Sequence, residues 1–208
     1  MTHADRWRAF WQRAGARGDG DAVFAELSAH YADPPRAYHS LDHVVRCLDE
    51  LETARHLAEY PLEVELAIWF HDAVYDPRAR DNEVKSAELA RRGAEELLFP
   101  RASGKRVYHL ILATRRDVVP TTPDQCLLAD IDLSILGAPA EEFDDYERRI
   151  REEYAGVSEA EFRAARADIL EKFLSRPRLY ATEFFHGRLE QAARENLRRS
   201  LTRLRSAL

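Results

Sequence analysis

Cysteine is scarce in this chain: Cys47 and Cys126 are the only two, and they lack the CxxC spacing of a zinc or redox motif. That scarcity excludes a disulfide framework. Each cysteine lies in an apolar context, so both are expected to be buried free thiols in a reducing compartment. Long apolar runs are also missing, and Arg6, Arg8 and Arg13 interrupt the apolar residues near the start. Neither a spanning helix nor a secretory leader is therefore expected, and the expected location is cytoplasmic, away from membranes. No Gly/Ser linker, low-complexity tract or internal repeat divides the 208 residues. A single domain with a sizeable core is expected.

Charge of one sign does not dominate either. Lys and Arg number 31 against 37 Asp and Glu, a net charge of −6. A mildly acidic chain has no general attraction for nucleic acid or an anionic membrane, so neither is an expected partner. The basic residues Arg194, Arg198, Arg199, Arg203 and Arg205 stand among glutamates and leucines at helical spacing, as on the solvated face of a last helix. Nothing in these patterns sets an oligomeric state.

Alternating strand patterns are absent, and helical periodicity runs almost throughout. Trp7, Phe10 and Trp11 mark a first helix ending near Gly15 to Gly20. Asp21 is expected to cap a second, carrying Val23, Phe24 and Leu27 and halted by Pro34-Pro35. Ser40 or Asp42 can cap a third with Val44, Val45, Leu48 and Leu51 on its buried stripe. Pro61 opens a fourth through Leu66 to Val74. Asn82 or Asp81 starts a fifth with Val84, Ala87, Ala90, Ala94 and Leu97-Leu98, closed by Pro100. Ser103 caps a sixth with Val107, Leu110, Ile111 and Ala113. Pro123 leads into Leu127-Leu128, Ile131, Ile135 and Leu136, ended by Gly137, and further helices start near Pro139, Ser158 and Pro177. The expected fold is all-α.

Several catalytic motifs are missing as well. His39 and His43 have the spacing of a zinc-protease helix but lack the glutamate after the first histidine that would serve as base. The Gly15 to Gly20 segment lacks Gly-Lys-Ser/Thr, and no Gly-x-Ser-x-Gly elbow occurs. What is present is a pair of histidine clusters. Arg36-Ala37-Tyr38-His39-Ser40-Leu41-Asp42-His43 precedes His71-Asp72, which closes the apolar run Leu66-Ala67-Ile68-Trp69-Phe70. Imidazoles with a hard carboxylate suit divalent Mn, Fe, Co, Ni or Zn. Asp130 and Asp132 lie in an apolar helix, where acidic residues require a partner, and a metal is one.

His43, His71-Asp72 and a distant Asp130 or Asp132 resemble the H…HD…D pattern of the HD-domain superfamily, helical metal-dependent phosphohydrolases. His43-Val44-Val45-Arg46, Trp69-Phe70-His71-Asp72-Ala73-Val74-Tyr75-Asp76, Asp81-Asn82-Glu83 with Ser86-Ala87, and Asp130-Ile131-Asp132-Leu133 are similar to one bacterial subfamily of predicted HD phosphohydrolases. The resemblance implies a single-domain HD-type helical bundle, with a metal-binding core over about 36–137 and C-terminal helices over 139–208. Ser40 stands where related sequences often carry Asn, and Asp117 near a position often held by His. Asn82 replaces the extra histidine of two-metal relatives, which implies one divalent metal ion per chain (Mn, Fe, Co, Ni, Zn or Mg).

In this reading His43, His71, Asp72 and Asp132 hold the metal, with Asp130 as the alternative to Asp132. Asp72 and Glu83 are the candidate catalytic carboxylates, Glu83 as general acid or water-orienting group; ordinary first-turn capping is its competing role. Arg36 and Lys85 can supply charge to a phosphate, or can be plain surface cations. His39 is placed as a substrate or outer contact and not as a ligand. His109 is expected to be a satisfied core histidine. The implied activity is hydrolysis of a small phosphate ester, a nucleotide above others. The alternatives are a non-catalytic metal- and nucleotide-binding HD module and, more remotely, di-iron redox chemistry.

Overall fold

The computed structural model describes residues 1–34, 36–96 and 101–206, and every regular element among them is helical. The all-α expectation holds. No helix among the described residues is long and apolar enough to cross a membrane. The helices are α1 (His3–Arg13), α2 (Gly20–Tyr31), α3 (Leu41–Ala54), α4 (Pro61–Phe70), α5 (Asn82–Glu96), α6 (Arg101–Leu112), α7 (Pro123–Asp132), α8 (Ala140–Glu153), α9 (Glu159–Ser175) and α10 (Glu183–Ser206). Pro35, Leu97, Leu98 and Pro100, read as helix-ending or helix-borne residues, lie outside the described residues. The chain divides into two compact units, Met1–Ala129 and Asp130–Leu208, so the division falls inside α7.

In the first unit α4 is the inner helix. Val64, Leu66, Ala67, Ile68, Trp69 and Phe70 are all buried, so the helix has no solvated face. Two carboxylates share that burial and are neutralised by arginines of other elements. Arg106 of α6 grips Glu63 bidentately at 2.6 and 2.7 Å. Glu65 accepts from Arg13 of α1 at 2.5 Å and from Arg55, just beyond α3, at 2.7 Å. Removing one partner of a buried pair is strongly destabilising, which gives these arginines a role in locking α1, α3 and α6 onto α4. Trp7 completes the packing: its ring lies 5.3 Å from that of Trp69, edge-on, and its Nε1 donates to the Gly20 carbonyl at 2.7 Å. Asp124 of α7 accepts from the backbone N–H groups of Glu59 and Tyr60, fixing the approach to α4.

Several boundaries differ from the sequence reading, for local reasons. Asp19, not Asp21, caps α2, because its Oδ1 accepts from both Asp21 and Ala22 N–H. α4 stops at Phe70 instead of continuing to Val74. α6 starts at Arg101, which places Ser103 inside it and buried. Cys47 is buried as expected, but Cys126 is half-exposed.

In the second unit, residues 133–137 form a 3-10 turn after α7, and α10 packs on that turn and on α9. Asn196 donates to the Leu136 and Ala138 carbonyls at 2.9 and 2.8 Å. Arg166, buried, pairs with Glu147 and donates to the Tyr146 hydroxyl. The last helix opens at Glu183, not near Pro177, because Leu179 and Tyr180 give their N–H groups to Glu190 and stay non-helical. Gly137 ends the turn where α10 comes closest: a Cβ there would lie 2.6 Å from Leu189 Cβ and 2.9 Å from the Leu189 carbonyl oxygen. Gly137→Ala is therefore expected to cost about 1–3 kcal/mol of stability, as overpacking does. Urea unfolding measures it, and an unchanged midpoint would show that α10 can give way.

Candidate metal centre

The centre is built where the start of α3 meets the end of α4. The Ser40 carbonyl accepts from His43 and Val44 N–H at 3.1 and 3.3 Å, which starts α3 and puts His43 in its first turn, buried. Ser40 holds the N-cap position with extended backbone, yet its side chain makes no capping bond. His71 is the C-cap of α4, and Asp72 follows as the chain leaves the helix.

His71 Nδ1 lies 2.8 Å from the Ile68 carbonyl oxygen. A carbonyl only accepts, so Nδ1 carries the proton and Nε2 presents a lone pair. A backbone carbonyl holding the far N–H is the arrangement that orients a metal-binding imidazole. That lone pair faces His43 Nε2 at 3.1 Å and Asp72 Oδ2 at 3.2 Å, and Asp72 Oδ2 is 3.6 Å from His43 Nε2. Donors bound at about 2.0–2.2 Å stand about 2.9 Å apart on an octahedral edge and about 3.4 Å apart on a tetrahedral one. Two sides of the observed triangle, 3.1 and 3.2 Å, fall within that range and the third, 3.6 Å, lies just above it, so the residues fit a divalent ion. Burial pushes the Asp72 carboxyl up, but its neighbour His71, with His39 and His43 behind it, holds it well below the usual carboxylate range.

His43, Cys47 and His71 also form a buried group whose ligand atoms lie within 4.8 Å of one another, a donor set able to hold a metal ion. Cys47, one helical turn after His43, was read from the sequence only as a buried thiol; the i,i+4 spacing was the available signal. Its Sγ is nearly equidistant from His43 Nδ1 and Nε2, at 3.8 and 3.7 Å. The sulfur therefore lies alongside the ring and not along the Nε2 lone pair.

The backbone around these ligands is tied down. Tyr31 donates its hydroxyl to the Trp69 carbonyl at 3.0 Å, and burial raises that hydroxyl well above its ordinary pKa. Ser86 of α5 accepts from Val74 N–H at 3.0 Å and faces the Val74 carbonyl at 3.3 Å. Arg36 departs from the phosphate-gripping role read from the sequence. Its Nη1 donates to the carbonyls of His39 (2.9 Å) and Asp72 (2.7 Å), and its Nη2 to that of Ala73 (2.9 Å).

No family model, curated protein or solved structure matches the chain. The functional reading therefore rests on the residues themselves.

The remaining candidates are placed as follows. His39 stacks on Tyr75, centroids 4.3 Å apart, and its ring is 6.1 Å from that of His43. Glu83 stands half-buried in the first turn of α5. Lys85 pairs with Asp81 at 3.1 Å, and both are well exposed, as in an ordinary surface i,i+4 pair. Asn82 accepts from Asp76 N–H and donates to the Asp76 carbonyl. His109 is exposed and not a core histidine.

Asp130 is accounted for without a metal. Its carboxylate accepts from Ala181 N–H (2.7 Å), Thr182 N–H (2.7 Å) and the Thr182 hydroxyl (2.6 Å), capping the entry to α10. Burial keeps its carboxyl above the usual range despite those three bonds. Asp132 is the last residue of α7 and belongs to the second unit. Asp130→Ala is expected to lower stability by about 1–3 kcal/mol, the cost of buried donors left unpaired, while bound metal per chain stays at the wild-type value. Loss of metal in that variant, measured by elemental analysis, would return Asp130 to the ligand set.

Proposed function

We propose that the chain is a divalent-metal-dependent phosphohydrolase of the HD type, acting on a small phosphate ester, with nucleotides the favoured class. The supporting observation is the fixed tautomer of His71, which aims a lone pair at the point shared with His43 and Asp72. In this reading His43, His71 and Asp72 hold one ion, and the bonds that occupy Asp130 leave that carboxylate out of the ligand set. An ion bound there would polarise a phosphoryl oxygen and lower the pKa of a coordinated water.

The chain's own groups carry the rest. Asp72, kept anionic by the neighbouring imidazoles, can accept a hydrogen bond from the attacking water and fix its orientation. Glu83, in the first turn of α5, is proposed as the group that moves a proton to or from the reacting oxygens. His39, stacked on Tyr75 beside His43, is proposed to face the substrate.

Metal-loaded protein is expected to release phosphate or pyrophosphate from a panel of nucleotides and sugar phosphates. His71→Ala and Asp72→Ala should both lose metal and turnover, by more than the roughly 10- to 100-fold that removing an outer partner costs. Glu83→Gln should keep its metal and lose about 10²–10⁴ in rate. Release from no member of the panel, with saturable nucleotide binding, would replace hydrolysis by a sensing role.

A further inference from the structure

We propose that Arg36 is a positioning residue for the metal centre: its guanidinium joins the chain segment that enters α3 to the His71-Asp72 segment and so sets the spacing of the ligands. The inference rests on the metal-binding reading above.

The two ligand segments are distant in sequence, and His43 and Asp72 leave their helices in directions that no covalent link constrains. The side chains meet at the centre, but the two main-chain segments that carry them have to be held by other bonds. Arg36 supplies them from the backbone side. One nitrogen, Nη1, donates at once to the His39 carbonyl at 2.9 Å and the Asp72 carbonyl at 2.7 Å, one from each segment. Nη2 adds the Ala73 carbonyl at 2.9 Å. The guanidinium plane is fixed in turn by aromatic rings: its carbon lies 5.1 Å from the Tyr31 centroid and 5.5 Å from the Tyr75 centroid. Tyr75 is also the ring on which His39 stacks.

Only arginine satisfies this arrangement. Three acceptors in fixed directions match the planar fork of a guanidinium, whereas a lysine ammonium is a single point that cannot span them. The Nε atom, buried and without a hydrogen-bond partner, shows that the side chain is placed for its Nη groups. Held in this way, three of its N–H groups are committed to main-chain carbonyls, and the residue can preorganise the groups that do the chemistry.

Cobalt(II) binding tests the proposal without recourse to turnover. Apo protein is titrated with Co²⁺, and its visible d–d spectrum and affinity, by chelator competition, are compared for wild type, Arg36→Lys and Arg36→Ala. Asn196→Ala serves as a control that loses two buried hydrogen bonds, to the Leu136 and Ala138 carbonyls, and lies in the other compact unit. Both Arg36 variants should bind cobalt about 10- to 100-fold more weakly, and at saturation their d–d bands should differ from wild type, which loss of stability alone would not cause. The control should keep the wild-type spectrum and affinity, and methylguanidine should restore affinity to Arg36→Ala. Wild-type spectrum and affinity in both Arg36 variants would overturn the positioning role and leave the metal reading intact. Wild-type protein that takes up no cobalt would overturn both.

Discussion

The hydrogen bond from His71 Nδ1 to the Ile68 carbonyl is the constraint on which the centre depends. It exists because α4 ends at Phe70, which leaves the carbonyls of its last turn without helical donors. One imidazole then does two jobs, closing the helix and presenting its second nitrogen inward. The helix can end there only because its whole length is packed: a shift of α4 by one residue would put Asp72 or Phe70 where the imidazole stands.

Burying such a helix with two glutamates in it is costly, and the cost is offset locally. Glu63 and Glu65 each meet arginines from elements that surround α4, so charge neutralisation and helix docking are the same event. The centre repeats this logic with less margin. Asp72 is anionic among imidazoles, and the donors that hold its peptide are placed by aromatic rings and by Ser86 of α5. Electrostatics draw these groups to a common point, while hydrogen bonds to carbonyls decide how closely they approach.

Much of this was legible in the residues. Helical periodicity located the elements, and the spacing of His43, His71 and Asp72 identified the part of the chain that forms the centre. What stayed hidden had main-chain partners. Arg36 reads as a surface cation because its three acceptors are carbonyls, which any residue carries. Asp130 and Asp132 are alike as text, and the sequence does not show that Ala181 and Thr182 turn their N–H groups toward the first. Glu63 and Glu65 were invisible inside an apolar run, since their arginines come from positions 106, 13 and 55. The start of α10 was misplaced for the same reason: Glu190 captures N–H groups that Pro177 would otherwise have led into a helix. Cys47 shows the reverse case, a spacing that suggests a ligand and a geometry that sets the sulfur beside the ring.

The reciprocal amide tie between Asp76 and Asn82 bears on how such a chain can change over time. Two bonds close the segment into a small ring whose outer residues, Arg78 and Arg80, face solvent. Just before the ring, Val74 is already fastened to Ser86. Residues can be inserted or exchanged at the tip without any pull reaching Asp72, so this exposed loop is the part of the segment most tolerant of a change in length.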